Sequence, residues 1–375
     1  MDTPTGALTV WGKDLKEVLE ASRLTRGIGK IFTDYEWRKN SIGIFYSHES
    51  MLLAFLQGKE TKGTELNQNS PLYNFYHSRQ GIAYLLEELL YQYDYLAPEQ
   101  IINGKLDSYK VLFMPRIQIL SDREIAKLKS FAAKGGKIIA DIMPGMYDEL
   151  GVKRMKEPFN ASEVTIIGKN FSELDKAQKK AFAAILAEKK VAPIVYSRNI
   201  EDLNGRESMH FVREKMNVYG LMRMPGRSRD NTKQTFTFPS KNCHLYDIRA
   251  GKYLGKKDSV TVEVPNGDVL VYGHYPYKVQ SLDISLPAKV KRGKDLVSNL
   301  SLTVTDGKAG DHVFHIEICD PSGKGRFHMK RNVTAINGKY TLAFRMAHND
   351  PKGKWLLKAT DVMTGTSAEK SFILE

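Results

Sequence analysis

The stretch "LDSYKVLFMPRIQILSDREIAKLKSFAAKGGKIIADIMPGMYDELG", residues 106–151, decides the fold. Its two apolar runs, 111–114 and 138–140, lack polar alternation. Runs of that kind suit strands covered on both faces, as in parallel sheets. Between them, Ser121 and Glu124 spell a capping box: the Ser121 side chain can accept from the Glu124 amide while Glu124 reaches back. The helix so opened turns Ile125, Leu128 and Phe131 inward. Gly135-Gly136 ends it by supplying left-handed conformations.

The same rhythm extends in both directions. "SIGIFYS" at 41–47 reads as a compact strand with Ile42, Ile44 and Phe45. A polar stretch runs from Gly58 to Pro71. A helix over 73–91 then sets Ile82, Leu85, Leu86, Leu89 and Leu90 at three- and four-residue spacings. "YDYLAP" at 93–98 is a short strand. Downstream, Ser172 is the expected N-cap of a helix whose stripe is Phe182, Ile185 and Leu186. The order β-α-β-β-α-β predicts an α/β domain over 39–190, an open, flavodoxin- or class I amidotransferase-like parallel sheet.

From 191 onward the pattern becomes all-β. Strand candidates are "HFVREKM", "VYGLMRM", "QTFTF", "HLYDI", "VTVEV" and "VLVYG". Asn266-Gly267 predicts a hairpin between the last two, and Arg249-Ala250-Gly251 a tight turn. A boundary near Pro287 separates a small β-rich domain, 191–284, from an Ig-like β-sandwich, 285–375. Its strands are expected near 298–305, 311–319, 339–346 and 354–360, with Asn337-Gly338 as another hairpin turn. At the other end, residues 1–38 read as a linker helix. Leu15, Val18, Leu19 and Leu24 give it an apolar face with no partner of its own.

Composition narrows the function classes. The chain has 375 residues, 42% hydrophobic and 26% charged, ordinary globular values. No apolar run reaches the ~18 residues of a membrane helix, so no membrane span is expected. The N-terminus lacks a signal peptide's charged and apolar regions, so the chain reads as soluble and not visibly exported. Net charge is +13, but the charge is spread along the chain; the denser places are 223–233, 289–294 and 324–331, and none sits on a nucleic-acid motif. No nucleic-acid partner is expected. Cys243 and Cys319 lie far apart; a disulfide between them stays open, but no zinc motif is present. No metal site and no cofactor are expected, since phosphate-cradling loops and H-E-x-x-H are also missing.

Two places carry candidate chemistry. Asp141 sits where strand 138–140 ends, followed by Pro144-Gly145, Asp148 and Glu149. Ligands favour the carboxyl ends of strands in open α/β sheets, and paired carboxylates can divide acid and base roles. The competing reading is that Asp141 accepts loop amides and Pro144-Gly145 makes the turn. The second place is "YSHES" at 46–50, with Ser47, His48 and Glu49 in series. Neighbouring side chains diverge, so a helix cap or ligand contact is expected there rather than a triad. His77 and Arg79 could line the same crevice. Trp355, Tyr275 and Tyr277 are candidate sugar-stacking aromatics, although core packing is the commoner use.

The runs "SIGIFYSHESMLLAFL" and "LDSYKVLFMPR…LSDREI…GGKIIAD…PG…D", over about residues 40–155, resemble the β-galactosidase trimerisation domain of glycoside hydrolase family 42. That domain is amidotransferase-like without the cysteine nucleophile, and 39–190 contains no cysteine. "LYDIRAGKYLG" and "LPAKVKRGKDLV…DGKAGDHVFHIEICDPSGK" resemble the β domains that follow in such proteins. The resemblance implies a catalytic barrel upstream that bears both glutamates. A barrel takes about 250 residues, so residues 1–38 would be only the helix leaving it. It also implies a homo-oligomer, a trimer in that family, or a separate barrel as partner. A bacterial, periplasmic or extracellular parent is implied as well, with this chain's own location unknown.

Three functions follow as expectations. The first is a non-catalytic accessory and oligomerisation portion of a family 42-like glycoside hydrolase, with a glycan as a further ligand. The second is a self-sufficient glycoside hydrolase with its site at the Asp141–Glu149 loop. The third is a carbohydrate- or surface-binding β-sandwich protein.

Overall fold

The computed structural model describes residues 27–58, 70–197, 206–223, 233–264 and 269–375. In chain order, helix α1 (Ile28–Asp34) and strand β1 (Glu36–Trp37) precede β2 (Ile42–Phe45), α2 (His48–Gln57), α3 (Pro71–Glu88), β3 (Asp94–Leu96) and α4 (Pro98–Ile102). Then come β4 (Val111–Met114), α5 (Asp122–Ala133), β5 (Lys137–Ala140), β6 (Thr165–Ile166) and α6 (Lys176–Glu188). Strands β2 to β6 form one parallel sheet, ordered β3-β2-β4-β5-β6. That is the order of flavodoxin-type sheets, with the switch point between β2 and β4.

The unalternated runs are explained by burial on both faces. Ile42, Ile44, Val111, Phe113 and Ile139 face α3 and α6, against Ile82, Leu85, Leu86, Phe182 and Leu186. Phe45, Leu112, Met114, Ile138 and Ala140 face the other layer, against Leu128 and Phe131 of α5 and Ile101 of α4. The capping box of α5 forms: Ser121 accepts from the Glu124 amide at 3.3 Å, and Glu124 accepts from the Ser121 amide at 2.7 Å. Of the closing glycines, only Gly135 is left-handed (φ 91°). Gly136 is glycine for space instead, because a Cβ there would lie 2.4 Å from the Phe131 ring. Helix α6 starts later than its sequence suggests. Asp175, not Ser172, caps it by accepting from Gln178, and Ser172 lies in a short 3-10 turn.

The remaining strands are β7 (Tyr196–Ser197), β8 (Arg206–Arg213), β9 (Met216–Arg223), β10 (Gln234–Thr237), β11 (His244–Asp247), β12 (Lys252–Lys256), β13 (Ser259–Val262) and β14 (Val269–Tyr275). They form a six-stranded sheet, β1-β8-β9-β14-β11-β12, and a three-stranded sheet, β13-β10-β7. Asn266-Gly267, where a hairpin is expected, lies outside the described residues. Among the described residues β13 pairs with β10, while β14 pairs with β9 and β11.

The C-terminal unit contains β15 (Val279–Ser285), β16 (Lys289–Val290), β17 (Asp295–Val304), β18 (His312–Cys319), β19 (Arg331–Ala335), β20 (Lys339–Arg345), β21 (Gly353–Asp361) and β22 (Ser367–Leu374). Sheets β15-β17-β20 and β16-β22-β21-β18-β19 face each other across Leu296, Leu300, Phe314, Ile316, Trp355, Leu357 and Phe372. Asn337-Gly338 makes the expected tight hairpin turn (φ 51° and 68°), closed by an antiparallel bridge between Ile336 and Lys339, but the two flanking strands then part. Strand β19 pairs with β18, and β20 with β17.

Helix α1 packs within the chain. Leu15, Val18, Leu19 and Leu24 lie outside the described residues. Ile31 of α1 and the adjacent Tyr35 are buried with Val218, Tyr275, Val313 and Met363 of the two β units. The Tyr35 hydroxyl donates to the Asp311 carbonyl at 2.8 Å. Cys243 and Cys319 are both buried and free.

Candidate functional site

Asp141 leaves the end of β5 and turns inward, with no exposed surface. The Ser78 hydroxyl donates to its Oδ2, and the Arg116 amide donates to Oδ1 at 2.8 Å. Its own carbonyl accepts from Gly168 at 3.1 Å. Burial pushes the Asp141 carboxyl above its ordinary value, and the Ser78 and Arg116 hydrogen bonds pull against that shift. Ser78 Oγ also accepts from the Phe171 amide at 3.1 Å. Gly81, one turn along α3, permits that approach, since a Cβ there would sit 2.3 Å from the Ser172 nitrogen. Asp141 thus fastens α3 to the carboxyl ends of β4 and β5.

The other two acids do not join it. Asp148 is taken up by its own loop, accepting from the Leu150 and Val152 amides at 3.0 and 2.8 Å. Glu149 is exposed. Pro144 and Gly145 are buried, so the turn faces the interior. Gly145 is left-handed (φ 71°), donates to the Ile117 carbonyl at 3.0 Å, and leaves no room for a Cβ against Leu120.

"YSHES" builds a helix start. Ser47 caps α2 by accepting from the Ser50 amide at 3.0 Å and donates to Glu49 at 3.1 Å, while His48 is exposed. Arg79 stacks its guanidinium over Tyr46 and Tyr76, 5.2 and 5.3 Å from the ring centroids. His77 stacks on Tyr73 at 3.7 Å. Trp355, Tyr275 and Tyr277 are all core residues. Trp355 donates to the Pro351 carbonyl at 2.9 Å.

A crevice of ≈ 190 Å³ opens beside Asp141, lined by Gln57, Pro71, Asn74, Arg116, Gln118 and Ile142. Reading by sequence alone passes over Ser78, Arg116 and these amides. One signal for Ser78 was present: it is a polar residue on the face of α3 that buries Phe75, Ile82 and Leu85. For Arg116 there was none. Among the described residues no cluster of three or more His, Cys, Asp or Glu could hold a metal ion, and no helix is long and apolar enough to cross a membrane.

No protein-family model matches the chain, and no curated protein matches it. Among solved structures it is similar to a catalytic mutant of Gan42B, a GH42 β-galactosidase from G. stearothermophilus. The identity is 12% and the TM-score 0.45, over 63% of this chain and 40% of that one. It is also similar to an exo-carrageenase GH42 from Bacteroides ovatus, at 12% identity and TM-score 0.39, over 64% of this chain and 29% of that one. A β-glucosidase from Listeria innocua is similar at 11% identity and TM-score 0.22, over 90% of this chain and 46% of that one. The chain therefore spans less than half the length of each of these glycoside hydrolases.

Proposed function

We propose that this chain is a non-catalytic assembly portion of a family 42-like glycoside hydrolase, and that copies of it associate through the α/β domain. One observation carries the reading. Helix α2 presents Leu52, Phe55 and Leu56 to solvent, and the loop after Asp148 presents Leu150, Val152 and Met155. Leu56, Leu150 and Met155 are 77%, 85% and 98% exposed. The two groups flank one segment. Ser50 of α2 accepts from the Gln118 and Ile119 amides at 3.1 and 2.9 Å, and Ile119 bridges to Tyr147 at the start of the loop. Large exposed apolar patches mark interaction surfaces, and most soluble oligomers are symmetric assemblies of one chain. The resemblance of residues 40–155 to a trimerisation domain points to the same partner.

The carboxylates support a non-catalytic role. Asp141 is sealed and hydrogen-bonded inward, and Asp148 is committed to its loop, so neither is free to divide acid and base work with Glu149. Sedimentation of the intact chain beside Leu56→Glu tests the assembly.

A further inference from the structure

The crevice beside Asp141 has a chemistry that neither the docking face nor the fold explains. It lies beyond the carboxyl ends of β4 and β5, where open α/β sheets place their ligands. Among the described residues its polar lining is one cation, Arg116, and three amide side chains, Gln57, Asn74 and Gln118, with no acid. The Arg116 guanidinium carries five N–H donors. Among the described residues it makes no hydrogen bond, and its nearest acid is Asp141, with Nε 4.0 Å from Oδ2. That carboxylate is already occupied by the Ser78 hydroxyl and the Arg116 amide. Asn74 Oδ1 accepts from Asn170 at 2.8 Å, which leaves its NH₂ as the group to offer a ligand.

The backbone of Arg116 is also unusual. It has φ 52°, a region that disfavours a side chain. Leu90 and Lys190 share that geometry just past the ends of α3 and α6, where a left-handed residue is ordinary. Arg116 stands after a strand, where a glycine would fit more easily.

We propose that this crevice is a binding site for a small oxyanion, a carboxylate or a phosphate, with Arg116 as its anchor and Asn74, Gln57 and Gln118 as hydrogen-bonding walls. A cavity of ≈ 190 Å³ suits a ligand of a few heavy atoms or the charged end of a longer one. The site is independent of the assembly reading, and either could fail alone.

Thermal-shift and NMR titrations of the full chain with sodium acetate, sodium glycolate and inorganic phosphate test it, with sodium chloride at matched ionic strength as the control. The expected result is a saturable response to at least one oxyanion at millimolar concentration and none to chloride. Which oxyanion responds distinguishes a carboxylate from a phosphate ligand. Arg116→Gly should weaken that binding tenfold or more while leaving Tm unchanged or raised. Should that variant not fold, Arg116→Asn carries the same test, because Asn tolerates this backbone. No saturable response to any of the three, or an equal response in the Arg116 variant, overturns the proposal.

Discussion

His312 Nδ1 lies 3.0 Å from both carboxylate oxygens of Asp361, and neither side chain has any exposed surface. The other imidazole nitrogen is 2.9 Å from the Tyr277 hydroxyl, which also accepts from the Gly310 amide at 2.6 Å. With Nδ1–H directed at the carboxylate, Nε2 accepts a hydrogen bond from the Tyr277 hydroxyl. Asp361 is held further by the Thr364 hydroxyl. The order Tyr–His–Asp has the look of catalytic machinery, but no ligand can reach it. It stitches the strand-to-strand passage at Tyr277 onto β18 and β21.

Tyr277→Phe should therefore act on stability. It keeps the ring and removes the hydroxyl, leaving buried His312 Nε2 and the Gly310 amide without their partner. A buried polar group left unsatisfied, here His312 Nε2, costs about 1–3 kcal/mol. Urea denaturation should show a loss in that range, and a loss below 0.5 kcal/mol, on the order of a surface change, would contradict the network's role.

His210 supplies a pH dependence. It is 6% exposed, stacks on Tyr219 at 4.3 Å and bonds Asn217 through Nε2 at 2.9 Å. Burial lowers its pKa from 6.5 to about 4, with the Asn217 hydrogen bond opposing. The unfolded chain thus takes up the proton first. Stability from this residue is fully present above pH 6.5 and is lost as pH falls toward 4, by on the order of 3 kcal/mol. His210→Gln should lose less stability than wild type between pH 7 and pH 4.5. Parallel pH profiles for the two proteins would refute the assignment.

Gly81→Ala tests how α3 is seated. A methyl there would lie 2.3 Å from the Ser172 nitrogen and 2.6 Å from the Phe171 carbonyl carbon, both backbone atoms that give little. Although alanine is the better helix former, the overlap should cost about 1–3 kcal/mol. It should also loosen the Ser78–Phe171 bond. Thermal unfolding reads the first effect and amide exchange at Phe171 the second. An Ala variant as stable as wild type would mean that the two backbones are not packed this tightly.

Much of the α/β domain was legible because burial on both faces leaves a direct trace: 111–114 and 138–140 have no polar residue to misplace. Ser121 and Glu124 were readable because a capping box is local. Turns were readable only as turns. Asn337-Gly338 fixes a reversal of the chain, but the sheet that each flanking strand joins depends on the sandwich, which no dipeptide encodes. The site was half legible. Asp141 announces itself at a strand end, but its partner Ser78 comes from a helix 63 residues earlier in the chain. The left-handed backbone of Arg116 has no sequence signature, because arginine is not a residue chosen for it.

Sedimentation velocity at tens of micromolar, on the intact chain and on Leu56→Glu, decides whether copies of the chain associate through α2. The wild-type chain should sediment as a discrete oligomer, and Leu56→Glu, with its fold unchanged by circular dichroism, as a monomer. A wild-type chain that remains monomeric at these concentrations, or an oligomer that Leu56→Glu leaves intact, would contradict that association.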